Sequence, residues 1–566
     1  MKGSKILVEC LIKEGVDVIF GYPGGSIIPF FDSLYDAPIK FFLTRHEQAA
    51  AHAADGYARS TGKTGVCVAT SGPGATNLTT GIATAHMDSV PMVAITGQVK
   101  TSLIGNDAFQ EADITGISRS ISKHNYLVKK VEDLSYTVKE AFYLANSGRP
   151  GPVVIDLPVD IQLQDTEFKY FEKIDIRSYH PTLFEHPGQI KKVLKHIYKA
   201  KRPVIIAGGG VIISGASHEL LQFAECANIP VTETLMGLGG FPSTHKLSLG
   251  MPGMHGTVYA NMAITESDLL ISIGSRFDDR VTGKIDEFAP GAKIIHIDID
   301  PTSISKNISV DVPIVGDARN VLRQLIDEFD RSKIPDLAPW HKKIKDWKRK
   351  HPLSYKKSLK EKIKPQHVIE ELYAKTKGGA IIVTEVGQNQ MWAAQYYKAD
   401  YPRHFLSSGG LGTMGYGFPA AIGAKVANPS KEVVVIAGDG SIQMNIQELA
   451  TLSTYNINVK IIILNNHYLG MVRQWQELFY NRRYSGTHLK NPDFVKVAQG
   501  YGIKGIQVRK PSEVKKAIKE IISYKGPVMA DFLIEEEENV FPMVPAGEAI
   551  NRMIGGNGVE KLKIKY

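Results

Sequence analysis

Residues 433–466 have the sequence VVVIAGDGSIQMNIQELATLSTYNINVKIIILNN, and this stretch decides the fold. Two apolar runs, 433–437 and 459–464, enclose a segment whose apolar residues recur at helical spacing, which predicts a β-α-β unit. Such a crossover is right-handed and sets its strands parallel, so that both carboxyl ends meet at one edge of a sheet. Ligands bind along that edge in open α/β sheets. The sequence therefore predicts a binding site where the two apolar runs end.

Polar residues stand at both of these strand ends. Gly438-Asp439-Gly440-Ser441 follows the first run and Asn465-Asn466 follows the second, so that Asp439 and Asn466 lie 27 positions apart. A carboxylate and an amide oxygen suit Mg²⁺, which favours one or two protein oxygens together with phosphate oxygens. The glycines allow the backbone to approach a diphosphate, and the helix after Ser441 favours its negative charge. The pattern predicts a site for Mg²⁺ and a diphosphate, with a pair of ordinary turns as the alternative.

The alternation of strand-like and helical patterns continues along the whole chain. It predicts the α/β class, with central, mainly parallel sheets flanked by helices. A chain of 566 residues is too long for a single hydrophobic core. A content of 43% hydrophobic and 22% charged residues is typical of a globular protein. Breaks in the pattern predict three domains, at 1–165, 185–335 and 365–545, with a basic linker at 336–364 and a C-terminal tail at 546–566.

The net charge of +9 raises the question of nucleic-acid binding. Residues 341–364 alone contain eleven Lys and Arg against two Asp and Glu, a surplus equal to that of the whole chain. We interpret this segment as a solvated linker face and expect no nucleic-acid partner. No apolar run approaches the roughly 18 residues of a membrane span, and three widely spaced cysteines fit a reducing compartment. We therefore expect a cytoplasmic protein with no membrane contact.

Gly-Asp-Gly followed at this interval by Asn-Asn is the fingerprint of the thiamine-diphosphate enzymes, which this chain resembles. The resemblance implies that the backbone carbonyl of Tyr468 is the third protein ligand of the metal. Over about residues 3–546 the chain resembles more narrowly the acetohydroxyacid synthases, through Gly21-Tyr-Pro-Gly-Gly, Arg276-Phe-Asp-Asp-Arg and Gln474-Trp-Gln among other segments. The first predicted domain would then bind the pyrimidine of the cofactor, the second FAD, and the third the diphosphate and Mg²⁺.

Glu47 is the candidate for activating the cofactor. Thiamine chemistry needs a carboxyl group in an apolar setting that shares a proton with the aminopyrimidine ring. Arg45-His46-Glu47-Gln48 opens an alanine-rich helix, and a helix N-terminus by itself explains a glutamate there. The family's Arg-His-Glu-Gln segment implies the catalytic role instead. Because Glu47 and Asp439 fall in different domains, the resemblance also implies a homodimer or tetramer with active sites between subunits; the alanines suit that interface or an interior helix equally.

The resemblance implies a larger set of residues around thiamine diphosphate. Met414 would be the bulky side chain that keeps the cofactor bent. The full set is Pro23, Gly24, Glu47, Asn77, Gln388, Met414, Gly438, Asp439, Gly440, Ser441, Asn466, Tyr468, Gly470 and Met471.

The implied reaction decarboxylates pyruvate and condenses the resulting hydroxyethyl carbanion with pyruvate or 2-ketobutyrate, giving 2-acetolactate or 2-aceto-2-hydroxybutyrate for branched-chain amino-acid biosynthesis. A carbanion needs a dry pocket, which Phe109 and Met471 are expected to line, with Gln110 as the polar group nearby. We expect Arg280 to bind the carboxylate of the acceptor and Trp475 to sense its extra methyl group. Surface ion pairing and core packing are the respective alternatives.

The middle block carries a weaker cofactor signal. Gly208-Gly209-Gly210 follows an apolar strand, but it is not Gly-x-Gly-x-x-Gly, and Asp298 with Asp300 either reaches a ribose or caps a turn. The resemblance implies FAD, which in this family has a non-redox role during turnover. The implied FAD residues are Arg149, Gly209, Gly210, Thr234, Leu235, Met254, His255, Gly274, Arg276, Asp278, Arg280, Asp298, Ile299 and Asp317.

Two other functions compete with this hypothesis. A pyruvate oxidase uses the same two organic cofactors, and a non-catalytic binding protein would act through the basic linker. The family often pairs its catalytic chain with a separate regulatory small subunit, so that such a partner is possible for this chain.

Overall fold

The computed structural model describes residues 1–184, 186–357 and 361–555. The predicted starting residue of the second domain, 185, part of the linker, 358–360, and the last part of the tail, 556–566, lie outside this description. Within it, the strands form three sheets whose paired strands are all parallel. The predicted α/β class with three parallel-sheet domains is confirmed.

The first sheet has six strands and is flanked by eight helices. The strands are β1 Val18–Tyr22, β2 Lys40–Leu43, β3 Gly65–Ala69, β4 Met92–Gln98, β5 His124–Leu127 and β6 Pro152–Pro158. The helices are α1 Gly3–Lys13, α2 Ile28–Leu34, α3 Glu47–Thr61, α4 Pro73–Asn77, α5 Thr79–Met87, α6 Ile114–Ser118, α7 Leu134–Asn146 and α8 Val159–Leu163. The strand order is β2-β1-β3-β4-β6-β5.

The second sheet has five strands. They are β7 Pro203–Ala207, β8 Val231–Glu233, β9 Leu269–Ile273, β10 Lys293–Asp298 and β11 Val312–Val315, in the order β11-β10-β9-β7-β8. The helices of this part are α9 Pro187–Ile197, α10 Gly209–Ile213, α11 Ser217–Ala227, α12 Val258–Glu266, α13 Asp279–Thr282, α14 Ala318–Asp327 and α15 Ala338–Lys350.

The third sheet again has six strands. They are β12 Ile381–Thr384, β13 Phe405–Leu406, β14 Val433–Gly438, β15 Val459–Asn465, β16 Lys504–Val508 and β17 Val528–Leu533. The helices are α16 Pro365–Thr376, α17 Gln388–Tyr396, α18 Gly417–Ala427, α19 Asp439–Ile442, α20 Leu449–Tyr455, α21 Gly470–Phe479, α22 Phe494–Gly500 and α23 Pro511–Ser523. The strand order, β13-β12-β14-β15-β17-β16, repeats that of the first sheet strand for strand.

Helices α3 and α18 join these two similar domains within one chain. A Cβ atom added to Gly56 would overlap the carbonyl oxygen of Ala420, and one added to Gly423 would overlap that of Ala53. The two contacts show that the helices run in opposite directions and touch backbone to backbone. The alanines after Glu47 therefore pack in the interior of the chain, where only small side chains permit this approach.

The predicted linker and tail both pack on the second domain where the structure describes them. Trp340 and Ile344 of α15 lie in a hydrophobic cluster with strands of the second sheet, and the indole N–H of Trp340 donates to the carbonyl oxygen of Pro203 at 3.1 Å. Ile550 belongs to the same cluster, and Met553 contacts Val258. The basic segment is therefore anchored by an apolar face at its start. Within the described residues, no helix has the length and apolar character needed to cross a bilayer.

Candidate active site

Asp439 and Asn466 meet at the carboxyl edge of the third sheet. Strands β14 and β15 are parallel neighbours, so their ends lie side by side. Asp439 is 1% exposed, and its carboxylate accepts the backbone N–H of Asn466 at 3.4 Å and the side-chain amide of Asn491 at 2.7 Å. Burial raises the pKa of Asp439 to about 6. A buried carboxylate at this edge favours a cation beside it, because ion pairing offsets the cost of burying the charge.

The donor set fits a hard cation that also binds phosphate. Among the described residues no group of three or more His, Cys, Asp or Glu side chains converges as a metal site. A cation at Asp439 would therefore rely on one carboxylate, on amide and carbonyl oxygens, and on oxygens of a ligand, which is the mixture that Mg²⁺ accepts. Asn466 Oδ1, the predicted amide ligand, accepts the backbone N–H of Tyr468 at 3.1 Å.

A small cleft surrounds Asp439. Gly470 leaves room for the side chain of Gln388, whose oxygen a Cβ would overlap, and a Cβ on Gly440 would lie 2.7 Å from Leu469. The cleft measures only about 60 Å³, well below the roughly 300–1,000 Å³ of sites that enclose a whole organic ligand. The structure brings together here all the predicted residues of the third domain, namely Gln388, Met414, Gly438, Asp439, Gly440, Ser441, Asn466, Tyr468, Gly470 and Met471.

The remaining thiamine-site candidates gather at the carboxyl edge of the first sheet. Glu47 begins α3, and its Oε2 accepts the side-chain amide of Asn77 at 2.9 Å. A Cβ added to Gly74 would lie 3.3 Å from Glu47 Oε1, so this glycine keeps one side of the carboxylate uncrowded. Pro23 and Gly24 follow β1 along the same edge.

Phe109 and Gln110 extend that edge. Gln110 adopts a left-handed backbone with φ of 59°, and its backbone lies against Gly72, where a Cβ would lie 2.8 Å from the Gln110 carbonyl oxygen. Phe109 is 88% exposed. An aromatic ring this exposed in one chain is free to contact a second surface, and it does not line the Asp439 cleft.

The start of α3, at Glu47, and the start of α18, at Gly417, lie at opposite ends of the helix pair. Glu47 precedes the crossing at Gly56 by nine residues, and Gly417 precedes the crossing at Ala420 by three, in the opposite direction. At 1.5 Å per residue the two helix starts are separated by about 18 Å along the pair. Glu47 does not line the cleft at Asp439 in this chain.

The candidates for FAD line two neighbouring cavities at the carboxyl edge of the second sheet. The larger, of about 620 Å³, is lined by Arg149, Gly209, Gly210, Thr234, Gly274, Arg276, Asp278, Asp298, Ile299 and Asp317. The smaller, of about 330 Å³, shares Thr234, Arg276 and Asp278 and adds Leu235, Met254, His255 and Arg280. Every residue predicted for FAD thus lines one connected region.

The acidic residues of this region accept hydrogen bonds from nearby groups of the chain. Burial raises the pKa of Asp298 to about 6. Asp300 accepts the backbone N–H and hydroxyl of Thr302 and pairs with Arg149 at 3.3 Å, so it caps a turn. Asp317 likewise caps α14 through the backbone N–H groups of residues 319 and 320. Asp298 also accepts a backbone N–H two residues on, from Asp300 at 2.9 Å, so both acids that the sequence suggested for a ribose cap a turn.

Arg280 and Trp475 line the same cavity of about 330 Å³ although they belong to different domains. Arg280 is exposed, with its guanidinium 3.6 Å from Asp279. Trp475 packs its ring 5.2 Å from that of Phe479 and is half-buried. Met471 lines this cavity and also the Asp439 cleft, and so connects the two.

Glu385 and Asn491 also belong to the site, although neither is among the residues predicted from the sequence. Glu385 is fully buried just after β12, and its two carboxylate oxygens accept the backbone N–H groups of Gly415 at 2.8 Å and Phe418 at 2.9 Å. These bonds fix the loop that carries Met414. The signal for Glu385 was its place after an apolar run, as for Asp439, whereas Asn491 lies in a loop that no pattern marks.

Comparison with known proteins agrees with this geometry. Residues 1–117 match the N-terminal TPP binding domain of the thiamine pyrophosphate enzymes, residues 190–325 their central domain, and residues 385–532 their C-terminal TPP binding domain. The chain thus belongs to the thiamine pyrophosphate enzymes, whose cofactor is thiamine diphosphate under its other name.

Full-length relatives define the family further. The chain is 52% identical, over 98% of both proteins, to the acetolactate synthase large subunit of Haemophilus influenzae. It is 54% identical to a probable acetolactate synthase large subunit of Methanocaldococcus jannaschii, over 100% of this chain and 97% of that one. Isozyme 3 of Escherichia coli is 48% identical over 98% of both. Within the thiamine enzymes, the chain is a member of the acetolactate synthase large-subunit family, as the sequence motifs predicted.

Proposed function

We propose that this chain forms 2-acetolactate from two molecules of pyruvate and 2-aceto-2-hydroxybutyrate from pyruvate and 2-ketobutyrate. One observation carries the proposal: Met471 lines both the Asp439 cleft and the cavity that contains Arg280 and Trp475. A decarboxylase needs only the first of these spaces. Joining a second 2-ketoacid also needs a group for its carboxylate, and a guanidinium provides that through two parallel hydrogen bonds.

The third domain would hold thiamine diphosphate and Mg²⁺. Asp439, Asn466 and the carbonyl of Tyr468 would bind the cation, and the glycines at 438, 440 and 470 would admit the diphosphate. When bound, thiamine diphosphate supplies a nucleophilic carbon that adds to a ketoacid and stabilises the charge left by loss of CO₂. The raised pKa of Asp439 supports the cation, which would keep this buried carboxylate ionised.

Glu47 would hold a proton at the cofactor's pyrimidine ring. Asn77 donates to Oε2 and so orients the carboxyl group, which leaves Oε1 beside Gly74 to exchange the proton. Positioned acids of this kind contribute about 10²–10⁴ in rate. Phe109 and Gln110, on the same edge, would exclude water and contact the reacting ketoacid.

Two subunits would build each active site. The starts of α3 and α18, at Glu47 and Gly417, lie about 18 Å apart along the helix pair of one chain, and the Asp439 cleft has no lining residue from the first domain among those described. A homodimer, alone or within a tetramer, brings Glu47 of one chain over Asp439 of another. The relatives are named as large subunits, which supports a smaller regulatory partner for this chain as well.

FAD would occupy the cavity of about 620 Å³ and the adjoining part of the smaller one, beside the space for the acceptor. That volume is within the range of about 300–1,000 Å³ for organic-ligand sites. Gly209 and Gly210 leave room for backbone approach, and Arg149 with Arg276 supplies positive charge for a diphosphate. We place the enzyme in the cytoplasm, where its three free cysteines would stay reduced.

The test is product analysis with the purified protein. With pyruvate, thiamine diphosphate, Mg²⁺ and FAD we expect acetolactate without oxygen consumption, and acetohydroxybutyrate when 2-ketobutyrate is added. Each of the three cofactors is then omitted in turn. Acetyl phosphate and peroxide as main products would overturn the proposal in favour of an oxidase.

A further inference from the structure

A separate cavity of about 570 Å³ lies between the second domain, α15 and α17. It shares no lining residue with the Asp439 cleft or with the cavity of about 620 Å³. Met251 and His255 line both this cavity and the one of about 330 Å³ that contains Arg280 and Trp475. We infer that this cavity binds a nucleoside phosphate. The inference does not depend on the proposed reaction, because it concerns binding alone.

Three lysines line the cavity, namely Lys246, Lys348 and Lys398. Lys348 of α15 donates to the carbonyl oxygen of Ser248 at 2.6 Å, and its ammonium lies 5.5 Å from the ring centre of Tyr259. Burial lowers the pKa of Lys348, and no neighbouring carboxylate counteracts that effect. Lys246 and Lys398 line the same cavity from exposed positions. A phosphate group would supply the missing negative charge, since lysine binds phosphate well as a point charge.

The acidic side chain in the lining does not cancel this charge. Glu370 is the one Asp or Glu among the described lining residues. Its carboxylate is already engaged by Lys357 at 2.7 Å and by the hydroxyl of Tyr355 at 2.6 Å. The three lysines therefore face a cavity whose own carboxylate is neutralised.

The lining of the cavity is also aromatic. Tyrosine rings supply faces on which a planar base stacks, a contact worth about 1–3 kcal/mol per base. The lining tyrosines are Tyr259, Tyr373, Tyr396 and Tyr397.

The volume agrees with such a ligand. Sites for small organic ligands measure about 300–1,000 Å³ and combine apolar walls with a few polar groups. A cavity of about 570 Å³ is within this range. Lysine ammonium groups and tyrosine rings in the lining of one cavity match a phosphate joined to a base.

The experiment measures ADP binding calorimetrically on the full-length protein saturated with FAD, thiamine diphosphate and Mg²⁺, so that the other cavities are filled. We expect one ADP per chain. Lys348→Met keeps the aliphatic stem and should weaken ADP binding at least about tenfold, the loss of one charged hydrogen bond. Lys350→Met, an exposed change on the same helix outside the cavity, is the matched control and should bind ADP normally.

A second variant guards against misfolding of α15. Tyr396→Leu should weaken ADP binding while inorganic phosphate still competes with ADP, because only the base contact is removed. The inference is overturned if the saturated wild-type protein does not bind ADP, if ADP is taken up only by displacing FAD, or if folded Lys348→Met binds ADP as the wild type does.

Discussion

The carboxylate of Glu385 accepts the backbone N–H of Gly415 at 2.8 Å in a fully buried setting. With the second bond, from Phe418, it fixes the turn that begins α18 and places Met414 in the Asp439 cleft. Because two acceptor oxygens serve two donors, an isosteric amide offers one oxygen too few. Glu385 is therefore a positioning residue for the cofactor cleft.

Glu385→Gln should weaken binding of thiamine diphosphate by about tenfold, since a buried charge-assisted hydrogen bond contributes about 1.5–3 kcal/mol. The rate at saturating cofactor should fall much less, because the reacting groups are untouched. Cofactor titration of activity separates the two effects. Glu328→Gln, at an exposed position, is the control. Equal cofactor affinity in both variants would remove this role.

The difference in stability between the wild type and Glu385→Gln should depend on pH. Burial raises the pKa of Glu385 to about 7 from a usual value of 4.5. The folded protein therefore holds this proton more tightly than the unfolded chain, and the contribution of Glu385 to the free energy of unfolding falls as the pH rises from about 4.5 to about 7. Urea unfolding at pH 5 and pH 8 should show the wild type losing stability relative to Glu385→Gln at the higher pH. A constant difference would contradict the assignment.

Glu47→Gln should lower kcat by about 10²–10⁴ while leaving the fold and cofactor affinity nearly intact. The half-buried carboxylate keeps its Asn77 contact through the amide oxygen of glutamine, so that proton exchange is the property lost. Exchange of the cofactor C2 proton, followed by NMR, checks this directly. Glu132→Gln, an exposed change in the same domain, should behave as the wild type.

Mixing two inactive variants tests the shared active site. A heterodimer of Glu47→Gln and Asp439→Asn chains has one site with both changes and one with neither. After random exchange of subunits, about a quarter of all active sites should therefore carry neither substitution and regain activity. Mixtures that stay inactive after the subunits have exchanged would mean that each site belongs to one chain.

The sequence predicted the fold well because strong local patterns repeat. Val433–Gly438 and Val459–Asn465 are buried almost throughout. Two apolar runs joined by a helical segment predict adjacent parallel strands. The packing of α3 on α18 was left open, because alanine and glycine suit any close helix contact. The sequence of the basic linker is compatible with a helix, and within α15 only Trp340 and Ile344 are buried.

The predicted site depended on where residues stand relative to strand ends. Asp439 and Asn466 followed buried strands, so topology alone brought them together. Asn491 donates to Asp439 from a loop that is distant in sequence, and no periodicity fixes such a contact. Arg280 and Trp475 needed the family resemblance, because the arrangement of the second domain beside the third depends on tertiary packing rather than on local pattern.

Asp439→Asn should abolish Mg²⁺-dependent binding of thiamine diphosphate. The amide keeps the size of the side chain but supplies no negative charge, and hard cations depend on it. Thiamine diphosphate titrations at several Mg²⁺ concentrations should show wild-type affinity rising with Mg²⁺ and the variant nearly insensitive. Asp327→Asn, at an exposed position, is the matched control. A variant with an unchanged Mg²⁺ response would remove Asp439 from the metal site.

Gly56→Ala should destabilise the protein by about 1–3 kcal/mol or more, because the new methyl group overlaps the backbone of Ala420. Gly500→Ala is the same substitution at the end of α22, where a Cβ meets no atom within 4 Å. It should be neutral or slightly stabilising. Urea unfolding measures both. If Gly56→Ala were as stable as Gly500→Ala, the two helices would not touch through their backbones.

Trp475→Leu and Arg280→Lys should separate recognition of the acceptor's methyl group from recognition of its carboxylate. A methylene in a hydrophobic pocket is worth about 1–3 kcal/mol, so Trp475→Leu should lower the product ratio of acetohydroxybutyrate to acetolactate about tenfold or more in a mixture of pyruvate and 2-ketobutyrate. Arg280→Lys keeps the charge but loses the two-pronged geometry. It should raise the KM for both acceptors alike and leave their ratio unchanged, because both carry the carboxylate. A change in the product ratio with Arg280→Lys would contradict the role assigned to Arg280. An unchanged product ratio with Trp475→Leu would contradict the role assigned to Trp475.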